Sequence, residues 1–156
     1  MTKRTPRMII NPNFITKVIA MLLGITIISV TLAHQGATGI VKERMDMMKS
    51  MGDANKAIGD MIKGKTTFDA AQIAEHARTI NRQSQDILGH FPEGSLQKVS
   101  EALPQIWEDW PRFEHITQQL QTESAALVDI AANGGDKRAV MRQFAEMGKT
   151  CARFSY

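Results

Sequence analysis

The sequence predicts an all-α protein, an antiparallel four-helix bundle over residues 34–156 that follows an export signal at residues 1–33. Three observations lead to this fold class. Apolar residues recur at intervals of three and four along four separate stretches, which places them on one face of a helix. No stretch alternates apolar and polar residues as a half-buried strand does. Short links join the stretches, so successive helices should lie side by side and antiparallel.

The first 33 residues have the pattern of a secretory signal peptide. Basic residues precede an apolar run of 16 residues, Val18–Ala33, whereas a membrane-spanning helix needs about 20. Thr31 and Ala33 supply the small side chains that a signal peptidase requires. We therefore predict cleavage after Ala33 and a periplasmic mature protein. The alternative is an uncleaved anchor, and only that alternative would hold the protein at a membrane.

The charge balance excludes a nucleic-acid partner. The whole chain has 19 basic and 16 acidic residues, but four of the basic ones lie in the leader. Residues 34–156 therefore carry 15 basic and 16 acidic residues, a net charge of −1. No stripe of basic residues with interleaved aromatics remains in that part of the sequence. The basic character of the full chain belongs to its targeting segment.

The first helix should begin after Thr38 as its N-cap and end at Lys63, because Gly64 can adopt the left-handed conformation that stops a helix. The apolar residues expected on its buried stripe are Ile40, Met47, Met48, Met51, Ala54, Ile58, Met61 and Ile62.

The second helix should begin at Asp69 and end near Leu88, because Gly89 and then Pro92 cannot continue it. Residues 89–110 read as a loop in which Leu96–Leu103 adds a short helical turn. The buried face of the second helix should hold Ala70, Ile73, Ala77, Ile80, Ser84 and Ile87.

Asp109 is the expected N-cap of the third helix, since Pro111 then lies in the first turn, where its missing N–H matters least. That helix should end at the Asn-Gly-Gly of residues 133–135, and its apolar residues are Phe113, Ile116, Leu120, Leu127 and Ile130. Asp136 caps the fourth helix, whose apolar residues recur at alternating intervals of four and three, at Val140, Phe144, Met147, Cys151 and Phe154.

Five stretches carry a resemblance to a known family. The first helix reads ATGIVKERMDMMKSMGDANKAIGDMIKGK, and FDAA, FPEGS, IW and GKTC follow in that order. These stretches resemble the class II cytochromes c, the cytochrome c prime family. The resemblance implies a bundle that holds haem c for electron transfer or for binding small gaseous ligands. It also implies that Arg44 lies near a haem propionate and that Met48 faces the distal side of the iron. A periplasmic redox partner would accompany that role, and a homodimer is left open.

The last helix departs from the family pattern, in which Cys-x-x-Cys-His supplies two thioethers and the proximal histidine ligand. Cys151 matches the first cysteine, but Phe154 and Ser155 stand at the other two positions. Neither side chain can coordinate haem iron. We therefore expect no covalent haem from a standard maturation system, and a haem-free bundle is the alternative. Ser-Tyr can be encoded as TCA-TAC, which contains a histidine codon in another frame, so a frameshift is one explanation of the change.

Cys151 is the only cysteine of the 156 residues, so it cannot close an intramolecular disulfide. Its place on the apolar face of the fourth helix predicts a thiol that points inward near one end of the bundle. Burial among apolar groups raises the pKa of a thiol and makes it react slowly.

Two copper hypotheses belong to the haem-free alternative. Met45, Met47, Met48 and Met51 are soft ligands of the kind that Cu(I) prefers, but they cannot all face one side of a helix. Core packing is the interpretation that we favour for them. Cleavage after Ala33 would make His34 the N-terminal residue, whose amine and imidazole could chelate Cu(II).

Without the resemblance, Arg44 reads as a solvated helix residue and Met48 as core filler. Nothing in the sequence indicates an enzyme, since it holds no phosphate-binding loop, zinc-protease motif or nucleophile elbow. Di-iron bundles need Glu-x-x-His, whereas Glu75–His76 and Glu114–His115 are adjacent pairs that point in different directions.

Overall fold

The computed structural model describes residues 36–154, and in that range the protein is all-helical. The predicted signal peptide, His34 and Ser155 lie outside the described residues. The helices are α1 (Gly39–Ile62), α2 (Ala70–Asp86), α3 (Gln105–Glu108), α4 (Trp110–Ala132) and α5 (Lys137–Ala152), with a 3-10 turn at Leu88–His90. The four long helices are those that the sequence predicts. None of the helices in residues 36–154 is both long and apolar enough to cross a bilayer.

Aspartate side chains begin three of the long helices as predicted. Asp69 accepts hydrogen bonds from the backbone N–H groups of Ala71 and Gln72, and Asp136 accepts one from Ala139. Asp109 caps α4 in the same way. Thr38 occupies the N-cap position of α1 but makes no capping bond with its side chain, so that helix begins without this contribution.

The short helix between α2 and α4 lies further along the chain than predicted. Residues 96–103 form no helix, and the helical turn α3 starts after Pro104. A proline disfavours helical backbone in the residue before it, yet its own fixed φ, here −53°, suits the start of a helix. The predicted turn at Leu96–Leu103 is therefore wrong, and Pro104 explains the shift.

Side-chain bonds between helices establish the antiparallel order. Gln83 on α2 donates to Ser50 on α1, while Asn81 on α2 donates to Ser124 on α4. Gln143 on α5 donates to the backbone oxygen of Glu123 on α4. A second bond in each pair lies further along one helix and further back along the other. Arg44 on α1 donates to the backbone oxygen of His90, just beyond α2. Gln121 on α4 donates to the backbone oxygen of Ser84 on α2, and Arg153, after α5, donates to Gln119 on α4. Successive long helices therefore run in opposite directions, as in the predicted bundle.

Three of the four sides of the bundle are closely packed. The α1–α2, α2–α4 and α4–α5 pairs pack along their lengths, whereas α1 and α5 are not among the closely packed pairs of the described chain. They meet where Gly59 lies against the ring of Phe144. The first and last long helices are thus less closely packed on each other than the other three pairs are.

The core confirms most of the predicted stripe positions. Those that are only half-buried, apart from Ile40, are Met48, Ile62, Ala70, Ile130, Phe144, Cys151 and Phe154. Ile40 is only half-buried, and its neighbour Val41 is fully buried instead. The predicted core residues that are buried are Met47, Met51, Ala54, Ile58, Met61, Ile73, Ala77, Ile80, Ser84, Ile87, Phe113, Ile116, Leu120, Leu127, Val140 and Met147.

Candidate functional site

Arg44 is the most buried charged residue of the described chain, with 2% of its surface exposed. Its position on α1 points the guanidinium beneath the loop that follows α2. One terminal nitrogen, Nη1, donates to the backbone oxygen of His90 (3.2 Å) and to Ser95 Oγ (3.1 Å). The other, Nη2, donates to the backbone oxygen of Ser95 (3.2 Å) and to Ser100 Oγ (2.7 Å). Arg44 therefore fastens the 90–100 loop to the first helix.

Two aromatic rings complete the surroundings of this guanidinium. Its Cζ lies 4.7 Å from the centroid of the Phe91 ring and 5.8 Å from that of Trp107. The Trp107 indole N–H donates to the backbone oxygens of Phe91 and Pro92, which holds the ring in place. A cation over desolvated aromatic faces is attracted by their quadrupoles. The rings and the loop together compensate for the hydration that Arg44 loses.

No carboxylate in residues 36–154 forms an ion pair with Arg44. Burial lowers the pKa of its guanidinium below the ordinary value, because the charged form is desolvated. An arginine still stays protonated in proteins. The structure thus places an unneutralised positive charge inside the bundle end, and the interpretation of Arg44 as a solvated helix residue is wrong.

The Arg44 site continues into an aromatic cluster at the same end of the bundle. Phe91 packs edge-on against Phe113 with centroids 4.8 Å apart, and Trp110 lies 5.4 Å from Phe113. Phe154 meets Phe113 edge-on at 5.7 Å and 83°. Phe154 follows α5, whereas Arg44 belongs to α1. The cluster therefore connects the first and last long helices at this end.

The methionines of α1 pack as core residues. Met47 and Met51 are each 8% exposed, while Met45 and Met48 are half-buried. Met48 lies against the core, one turn after Arg44 on the same helix. Core packing, which the sequence favours for this group, is confirmed for Met47, Met48 and Met51. Met48 and Arg44 are thus neighbours on successive turns of α1.

Cys151 is half-buried near the end of α5 and packs against the core. Burial raises the pKa of its thiol, because the thiolate would be desolvated there. The half-buried position agrees with the expected inward-facing thiol, and its slow reaction stays a prediction. Three residues later, the side chain at position 154 is a phenyl ring that packs into the aromatic cluster.

The described histidines do not provide a metal centre. His76 is half-buried on α2 and His115 is exposed on α4. His90 lies in the 3-10 turn, with its Nδ1 2.8 Å from the backbone oxygen of Asp86. Between residues 36 and 154, no three His, Cys, Asp or Glu side chains come together as metal ligands.

A family model described as Cytochrome C' matches residues 39–153, which is nearly all of the helical part of the chain. The chain belongs to the cytochrome c prime family. A cytochrome c' of Rhodopseudomonas palustris is 30% identical over 109 residues, which cover 69% of this chain and 74% of that relative.

Solved cytochromes c prime share the fold. One from Shewanella frigidimarina matches with a TM-score of 0.69 and 29% identity, over 74% of this chain and 89% of that one. A ferrous variant from Alcaligenes xylosoxidans with bound NO matches with a TM-score of 0.65 and 25% identity, over 73% and 87%. The predicted family and fold class are therefore confirmed.

Sequence reasoning missed the residues that hold Arg44. The stretch FPEGS predicts a turn, and the structure confirms one in which Gly94 has a φ of +76° and the Ser95 N–H donates to the Pro92 oxygen. The sequence does not indicate that Ser95 and Ser100 accept hydrogen bonds from a buried arginine. The available signal was a lone arginine next to the apolar stripe of the first helix.

Proposed function

We propose that this chain is an exported haem-binding protein of the cytochrome c prime type that acts in electron transfer or in binding a small gaseous ligand, and not an enzyme. The observation that carries the proposal is the family match over residues 39–153. The relative with bound NO supports the gaseous-ligand role at the level of the family. A haem group supplies the redox-active, ligand-binding iron for both roles.

The residues of this chain fit only part of such a site. Cys151 offers one thiol for a thioether, and Arg44 brings a positive charge that would attract a haem propionate. Met48 lies one turn after Arg44 on α1 and packs against the core. The rest does not fit, because Phe154 packs in the aromatic cluster where a second cysteine is needed, and Ser155 replaces the histidine.

We infer that the scaffold suited to the cofactor is retained while its covalent attachment has been lost. On this proposal, haem is held by the bundle without the full set of bonds that its relatives use. The binding energy would come from burial of the macrocycle against apolar side chains and from the positive charge of Arg44, because Phe154 and Ser155 offer no bond to iron.

A titration of haem-free protein with ferric haem tests the proposal. The protein would be produced in cells without a c-type maturation system, and the Soret absorbance would be followed as haem is added. We expect saturable binding of one haem per chain, and weaker binding by Arg44→Gln than by the exposed control Arg82→Gln. Unsaturable binding, or equal affinities for the two variants, would contradict a haem site at Arg44.

The second candidate is a haem-free bundle that binds copper or a protein partner. The packing of Phe154 against Phe113 favours it, since that ring helps to close the interior without a cofactor. Calorimetric titration with Cu(II) would test the N-terminal copper site. If that site exists, His34→Ala abolishes the binding, while His115→Ala, on the exposed face of α4, leaves it intact.

Export and subunit association are proposals as well. Mature protein from the periplasm should have the mass of a chain that begins at His34. A full-length mass in the membrane fraction would show an uncleaved anchor instead. Analytical ultracentrifugation would determine whether two copies form the homodimer.

A further inference from the structure

The outward face of α5 carries a stripe of positive charge. Arg138, Arg142, Lys149 and Arg153 are all exposed. At 100° per residue they fall within an arc of roughly 60°, and they extend over about 22 Å of helix. Ala145, also exposed, lies beside that arc. The four cations thus line one side of the helix, the basic stripe, opposite its buried residues.

The charge of the rest of the bundle has the opposite sign. Residues 36–135 carry ten basic and fourteen acidic residues, whereas residues 136–153 carry five basic residues and two acidic residues, Asp136 and Glu146. Glu146 borders the basic stripe, and its carboxylate pairs with Lys149 at 2.7 Å. Arg138 and Arg142 have no ion-pair or hydrogen-bond partner in the described part of the chain. The molecule is therefore electrically polarised, with α5 as its positive side.

Local helix electrostatics does not explain the basic stripe. Arg138 stands in the first turn of α5, where the helix dipole disfavours a cation. Arg138 with Arg142, and Lys149 with Arg153, are like-charged pairs four residues apart, which destabilise a helix. Lys149 and Arg153 gain from the C-terminal end of the dipole, but Arg138 and Arg142 do not. Arg138 and Arg142 thus destabilise the helix that carries them, which indicates that they serve a purpose other than stabilising the fold.

We propose that the basic stripe of α5 is a docking surface for the acidic face of a partner protein. Its length suits a macromolecular surface better than a small anion, and Ala145 lets such a surface approach closely. A membrane is a poorer fit, because helices that bind bilayers insert several large apolar side chains beside their cations. On α5, Val140 and Met147 are buried in the core, and Met141 is the one large apolar side chain of this helix that is exposed. The inference is independent of haem, since the stripe shares no residue with the Arg44 and Cys151 sites.

The test uses fluorescently labelled poly-L-glutamate as the acidic probe, with phosphatidylglycerol vesicles as the membrane probe. Binding would be measured by anisotropy at low and physiological salt. Arg138→Gln/Arg142→Gln removes two charges from the basic stripe, and Arg82→Gln/Lys98→Gln removes two exposed charges elsewhere. We expect the stripe variant to bind poly-L-glutamate about tenfold more weakly and the control to change less than about twofold, with the difference shrinking as salt screens the charges.

Equal losses in the two variants would show non-specific attraction and overturn the proposal. A second outcome would also overturn it: the basic stripe binds vesicles but not poly-L-glutamate. The surface would then be a membrane site. The thermal midpoint of the stripe variant should equal or exceed that of the unaltered chain, since a like-charged pair is removed. A lower midpoint would assign Arg138 and Arg142 a structural role instead. Haem content is not read in any of these measurements, so a failed haem proposal would leave their outcome unaffected.

Discussion

At the scale of single residues, Arg44 is the side chain on which the end of the bundle depends. It donates four hydrogen bonds to groups in the 90–100 loop and faces two aromatic rings. A lysine in its place would keep the charge but could not present the two-pronged, planar set of donors. The guanidinium therefore holds the 90–100 loop against α1 and also supplies the internal positive charge of the candidate site.

We predict that Arg44→Ala lowers the free energy of unfolding of the haem-free protein by about 3 kcal/mol, because buried loop acceptors lose charge-assisted hydrogen bonds. Arg44→Lys should recover only part of that loss. Urea denaturation followed by circular dichroism would measure both. The control Arg82→Ala, on the exposed face of α2, should change the stability by less than about 0.5 kcal/mol. If Arg44→Ala is as mild as the control, the loop does not depend on this residue.

Cys151 gives a second prediction at this scale. Because burial raises the pKa of its thiol, its alkylation by iodoacetamide should be slower than in urea-unfolded protein, and its pH profile should be displaced upward. The thiol therefore contributes most to the stability of the folded state below the pKa that it has in the unfolded chain. That contribution is lost as the pH rises through the folded-state pKa. Identical alkylation profiles in the folded and unfolded protein would contradict a buried thiol.

At the scale of elements, the ends of the helices are the features that the sequence predicts best. Asp69, Asp109 and Asp136 cap α2, α4 and α5 because each stands immediately before a periodic apolar stretch. The region between α2 and α4 was predicted less well. Its conformation depends on contacts with Arg44, which lies about fifty residues earlier in the chain, and local sequence patterns do not record such contacts.

Asp69 supplies a prediction about pH. Hydrogen bonds from Gln72 and Ala71 lower the pKa of its carboxyl group. Its capping contribution should therefore be complete above the ordinary aspartate pKa and disappear as the pH falls through the lowered value. Asp69→Ala should reduce the urea midpoint at neutral pH, and the difference from the unaltered chain should vanish in acid. Asp69→Asn keeps a capping oxygen without a charge and should show a smaller difference that depends less on pH.

At the scale of the whole molecule, the sequence predicted the family, the four helices and nearly all of the core. Periodicity sufficed for these because each long helix buries one continuous stripe, as the fully buried Ile73, Leu127 and Val140 illustrate. For the candidate site, the sequence predicts which residues belong to it but not what surrounds them. That Arg44 is buried without a carboxylate, and that Phe154 joins the Phe113 cluster, are properties of the assembled bundle and not of any one helix.

The molecule retains the helix arrangement of its family. The bundle packs closely between successive long helices, whereas α1, which carries Arg44 and Met48, and α5, which carries Cys151, are less closely packed on each other. We infer that this scaffold still suits a haem and that Phe154 and Ser155, at the end of the last helix, prevent covalent attachment. Restoring those two positions is therefore the direct test.

The measurement is covalent haem content, read by haem-stained denaturing gels and intact mass, for proteins made with one c-type maturation system. The unaltered chain would be compared with Phe154→Cys/Ser155→His, and with the same double variant carrying Cys151→Ser. We predict that only the double variant with Cys151 intact acquires two thioether bonds and stains strongly, while the unaltered chain is unstained. Staining of the unaltered chain would show that one cysteine suffices. A folded double variant that remains without haem would show that the scaffold itself no longer accepts the cofactor.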